Sequence, residues 1–71
     1  MGLRWDSAED LAIELADAHD GVDPLTVRFT DLHRFVVALS EFDDDPKAST
    51  EGKLEAIQMA WLEEYRDRKG D

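Results

Sequence analysis

Two groups of carboxylates carry most of the chemistry this chain could perform. Asp10, Glu14 and Asp17 recur at i, i+4 and i+7, while Glu41, Asp43, Asp44 and Asp45 are packed into five consecutive positions before Pro46. On a helix the first spacing places three acids on one face, where each like-charge pair costs a few tenths of a kcal/mol. A cation or a basic protein partner would relieve that cost. Carboxylate oxygens suit hard or borderline divalent cations, and an open set without His or Cys would hold such a cation weakly, with little selectivity among iron, manganese, magnesium and calcium. The second group lacks the glycine and distal glutamate of an EF-hand loop. Each group also has a plainer reading: a solvated helix face for the first, and turn chemistry before a proline, with an Asp side chain capping the bend, for the second. Ile13 lies on the helical wheel between Glu9 and Asp17, away from Leu11 and Leu15. It can serve as an apolar anchor for a partner or reach a second core face. The docking set read from sequence is therefore Glu9, Ile13, Glu41, Asp43, Asp44 and Asp45.

Other chemistries find no residues here. The chain has no cysteine, which removes disulfides, thiolate zinc sites, cysteine nucleophiles and ligation of a cluster through thiolate. No Ser-His-Asp order, glycine-rich phosphate loop or zinc spacing is present. Asp31 and His33 point to different faces of their helix, and both His33 and His19 read as surface residues. The expectation is a protein that is not an enzyme and holds no tightly bound cofactor.

The elements that must position these acids are three helices. The first is expected from about Ser7 to His19, with Asp6 as N-cap, Glu9 in a capping-box position, and Ala8, Leu11, Ala12, Leu15 and Ala18 as its core stripe, ending before Gly21. Asp23 and Pro24 begin a turn, Val27 to Phe29 reads as extended, and Thr30 as the N-cap of a second helix over 31–42. Its apolar stripe is Leu32, Phe35, Val36, Leu39 and Phe42. That end places Asp43, Asp44 and Asp45 at a helix C-terminus already made negative by the macrodipole, which works against stability. The third helix is expected over 50–66 with Ser49 as N-cap and Leu54, Ile57, Trp61, Leu62 and Tyr65 inward. Trp5, Trp61 and Phe29 read as core.

Seventy-one residues allow one domain, and a chain of this size buries only roughly 60% of its unfolded surface, which leaves little room for a deep cleft. Eighteen acidic against eight basic side chains give a formal net charge of −10 on a body with an expected radius of gyration of about 11 Å. The Debye length at physiological salt is roughly 8 Å, so this field repels phosphate backbones and anionic membranes and favours a basic protein or a cation. No apolar run approaches the roughly 20 residues needed to cross a bilayer, and the N-terminus lacks an apolar leader core. A cytoplasmic protein is the expectation, with neither nucleic acid nor membrane as partner.

The order DPLTVRFTDLHRFVVALSEFDDDP from Asp23 to Pro46 resembles the IscX family, small acidic accessory proteins of bacterial iron-sulphur cluster assembly. Gly2-Leu3-Arg4-Trp5 looks like the family's opening. Ser49, Glu51, Leu54-Glu55-Ala56-Ile57 and Trp61-Leu62 look like its last helix. Departures are Phe35 where the family often has Trp, Thr50 where it often has Asn, and His19-Asp20 where an aromatic and Pro are common. The resemblance implies an all-α, three-helix domain of modified winged-helix type over residues 1–66, leaving 67–71 as a short flexible tail. It further implies binding to the cysteine desulfurase IscS through the acidic surface, with other components of the assembly system as further partners. Ferrous iron (Fe2+) would be held weakly, at the stripe Asp10, Glu14 and Asp17 or at the cluster Glu41, Asp43, Asp44 and Asp45, and competition with the bacterial frataxin homologue would adjust sulphur release. A winged helix that reads nucleic acid is the rival that such a fold allows. Glu51, Glu55 and Glu63 on the outer side of its reading helix oppose the phosphate contacts that dominate such binding. A purely structural interaction module is a third reading.

Overall fold

The computed structural model describes residues 2–70 and is all-α. Helix α1 spans Ala8–Ala18, α2 Phe29–Ala38 and α3 Glu51–Lys69, with short 3-10 turns at Pro24–Thr26 and Pro46–Ala48. The two long helices, α1 and α3, form the main packing pair, and α2 closes over them. Among the described residues the β structure is a single parallel bridge between Leu3 and Phe42, so there is no hairpin to form a wing. Leu3 N–H donates to Glu41 O at 2.6 Å, and Asp43 N–H donates to Leu3 O at 2.7 Å. The N-terminal segment thereby lies against the connection that follows α2.

Local chemistry explains the helix ends, several of which differ from expectation. The cap of α1 is Ser7, without a side-chain cap bond, so the capping box does not form. Asp6 instead pairs with Lys53 of α3 at 3.0 Å. Helix α2 starts at Phe29, two residues before the expected start, with Arg28 in extended backbone at its cap, and Thr30 lies inside the helix. It stops at Ala38, four residues short, because Leu39 turns to extended backbone. The acids at 43–45 are thus outside the helix, and the macrodipole cost expected for them does not arise. Thr50, not Ser49, caps α3, its hydroxyl accepting from Lys53 N–H at 3.2 Å. That helix carries Asp67, Arg68 and Lys69 as its last turn, where a tail was expected; Asp71 lies outside the described residues.

The core is built from both ends of the chain. Trp5 and Trp61 are each 1% exposed, and Leu11, Leu15, Leu32, Val36 and Ile57 are fully enclosed. On α1 the buried alanines are Ala12 and Ala16, whereas Ala18 is exposed. Phe29 is half-buried and packs on the edge of this cluster. Geometry requires glycine at positions 2 and 21, both next to the segments that carry the acids. A Cβ on Gly2 would overlap Asp43 Cβ, so only glycine lets the N-terminal segment approach that connection. Gly21, at φ +85°, takes the left-handed turn after α1 that other residues resist.

Candidate functional site

The acids before Pro46 divide into two that build the loop and two that face solvent. Trp5 organises the division. Its indole Nε1–H donates to Asp45 O at 2.7 Å, and its backbone N–H donates to Asp44 Oδ2 at 3.1 Å. Asp44 Oδ1 also accepts from Asp45 N–H at 2.8 Å, and Asp45 Oδ1 accepts from Lys47 N–H at 2.9 Å, capping the 3-10 turn. The Trp5 and Asp45 amide protons hold the Asp44 carboxyl below the usual carboxylate range, with smaller help from the charges of Arg4 and Lys53 against some desolvation. Asp44 and Asp45 therefore stabilise the loop that carries them. Glu41 and Asp43 have exposed side chains.

His33 belongs to the same structure and is not the free surface residue expected from the wheel. Its Nε2 lies 2.6 Å from Pro46 O, and its ring stacks on Trp5 with centroids 5.2 Å apart. Phe42 meets the same Trp5 ring edge-on at 4.9 Å. His19 is likewise half-buried, stacked on Phe35 at 4.1 Å and close to Trp61. Neither interaction could be read from helical spacing, because the partners come from other elements.

The α1 acids are split as well. Asp17 pairs with Arg68 of α3 at 2.9 Å, and Glu64 shares that guanidinium at 3.0 Å, which raises the Arg68 pKa further. Asp10 and Glu14 instead line an open hollow with Leu3, Ile13 and Glu41. The fold thus brings members of both sequence groups to one place: two acids from α1 and one from the connection after α2. Ile13 stands exposed at 43% beside them. Among the described residues none of Glu9, Asp10, Glu14, Glu41 and Asp43 makes an ion pair. No three His, Cys, Asp or Glu side chains of the described residues are grouped closely enough to hold a metal ion as they stand. What the hollow offers is uncompensated negative charge around an apolar side chain. Leu3 is the lining residue that sequence reasoning missed; its only signal was the apolar position in the opening Gly2-Leu3-Arg4-Trp5.

Residues 3–66 match the profile of a family described as iron-sulphur cluster assembly. An uncharacterized protein of Pseudomonas aeruginosa is 52% identical over 64 residues, covering 90% of this chain and 97% of that relative. No helix among the described residues is long and apolar enough to cross a membrane.

Proposed function

The chain belongs to the IscX family of iron-sulphur cluster assembly proteins, and from that premise we propose that it is a non-enzymatic cytoplasmic regulator that docks on the cysteine desulfurase IscS. The docking surface is the acidic hollow, and the observation that carries this reading is the convergence of Asp10, Glu14 and Glu41 on Ile13 with no basic side chain to neutralise them. Surface acids that make no ion pair among the described residues lose little on meeting lysines and arginines of a partner, and their field speeds encounter. Ferrous iron is held weakly at the same hollow, as cargo or modulator, once the three carboxylates turn toward one another; water fills the remaining coordination positions. Asp17, Asp44 and Asp45 are a lesser part of this site, since each already has a partner in the fold.

The test is a titration of purified cysteine desulfurase, with and without ferrous iron, following complex formation and sulphide production. The wild type is expected to bind and to change the rate of sulphide release. A variant carrying Asp10→Asn, Glu14→Gln and Glu41→Gln, with unchanged circular dichroism, should bind more weakly. Equal affinity of the two proteins would remove the docking role of the hollow. For the metal, manganous ion should broaden NMR signals of Asp10, Glu14 and Glu41 in the wild type alone; broadening centred on His19 or His33 would show the ligands to be others.

A further inference from the structure

Ile13 has a second side, turned toward α3. There a groove runs along the seam of the two long helices, with Ala12, Ile13 and Ala60 as its apolar part and Glu9, Glu63 and Asp67 on its rim. Glu64, on the same rim, is already taken by Arg68. The other three acids make no ion pair among the described residues. Alanine at 12 and at 60 is what opens the groove: with no side chain beyond Cβ, the helices leave a trough beside the exposed isoleucine. On α3 the stripe Glu51, Glu55, Met59 and Glu63 recurs at four-residue spacing, and all four side chains are exposed, with Met59 at 51%. The negative surface therefore continues past the seam, and no basic residue interrupts the groove lining.

We propose that the α1–α3 seam is a docking groove for a basic protein segment that inserts one apolar side chain against Ile13 and Ala60 while flanking lysines or arginines meet Glu9, Glu63 and Asp67. This rests on the docking reading above and extends its contact from the hollow at Glu41 across Ile13 to the outer side of α3. Charge selects the occupant. A second copy of this chain, at net charge −10, is repelled, and so are nucleic acid and anionic lipid. An acidic rim about an apolar centre matches the arrangement in which a central contact excludes water and flanking charges set encounter rate and orientation.

Two measurements test the proposal separately from the docking reading. In the first, cysteine desulfurase binding is compared for the wild type, for Glu63→Gln with Asp67→Asn, for Ile13→Ser, and for Glu41→Gln. The substituted positions are exposed, and circular dichroism checks each fold. The seam pair and Ile13→Ser are each expected to weaken binding about fivefold or more. Wild-type affinity in the seam pair, with a loss in Glu41→Gln, would overturn the seam while leaving the hollow as the docking site, whatever Ile13→Ser does, since Ile13 borders both. In the second, a synthetic peptide with one leucine flanked by lysines and arginines is added to isotope-labelled protein. Shift changes should centre on Ile13, Ala60 and Glu63, and fade in the seam variant. Shifts elsewhere, or none, overturn the groove even where the desulfurase fails to bind at all.

Discussion

Asp44 accepts the amide protons of Trp5 and Asp45, residues 39 positions and one position away along the chain. Its carboxyl is held below the usual range for that reason, so its contribution to stability is fully present above the ordinary value near about 3.9 and is lost as pH falls through the lower folded-state value. Replacing it by Asn keeps one acceptor oxygen but removes the charge. Asp44→Asn should therefore melt at a lower temperature than wild type at pH 7, and the two melting temperatures should converge as pH falls below the ordinary carboxylate range and through the lowered folded-state value. A difference that persists unchanged in acid would mean that the carboxylate's charge is not what stabilises the loop. Asp43→Asn, whose side chain is exposed, should leave the melting temperature at pH 7 nearly unaltered. The sequence made the acids visible as two groups but could not divide either one. Asp17 and Asp44 owe their roles to Arg68 and Trp5, which are distant in sequence, whereas Asp10 and Glu14 meet Glu41 only because Leu3 pairs with Phe42.

The three helices were legible from apolar spacing, and four of the five residues expected inward on α3, Leu54, Ile57, Trp61 and Leu62, are buried because they keep helical phase over a long element; the fifth, Tyr65, is only half-buried. The ends were less legible. The apolar rhythm of α2 continues through Leu39 and Phe42, yet Leu39 turns to extended backbone so that Phe42 can bridge to Leu3 and pack on Trp5. A side chain at helical spacing can thus be buried without being helical. The packing of α1 on α3 is the main store of stability, and Trp61 lies within it at 1% exposure. Trp61→Ala should cost about 3–5 kcal/mol, much of the total expected for a domain of this size. Urea melts followed by circular dichroism should show the variant partly unfolded without denaturant. Thr50→Ala, which removes the α3 cap bond to Lys53 N–H, should cost about 1 kcal/mol and leave the fold intact. A larger loss there would mean that the first turn of α3 also supports the adjoining Asp6–Lys53 ion pair.

A formal charge of −10 is confined to a body whose Cα radius of gyration is 11.0 Å. On so small a body neighbouring acids feel one another's charge even at physiological salt, where the Debye length is roughly 8 Å, and the folded state carries a self-repulsion that the expanded chain relaxes. The same field that draws a basic partner strains the free protein, which gives salt opposite effects on the two equilibria. Added sodium chloride screens the repulsion and should raise the melting temperature of the isolated chain. It also screens attraction to the partner, so the complex with a cysteine desulfurase should weaken over the same range, chiefly through a slower association rate. The five ion pairs among the described residues work against the first trend, but they involve exposed or partly exposed groups worth little each. Thermal melts and association kinetics across one salt series separate the contributions. Melting temperature and complex affinity falling together would show that local ion pairs, and not the summed field, dominate the free molecule. A salt-independent affinity would show that the contact is made through Ile13 and its apolar surroundings with the acids as bystanders.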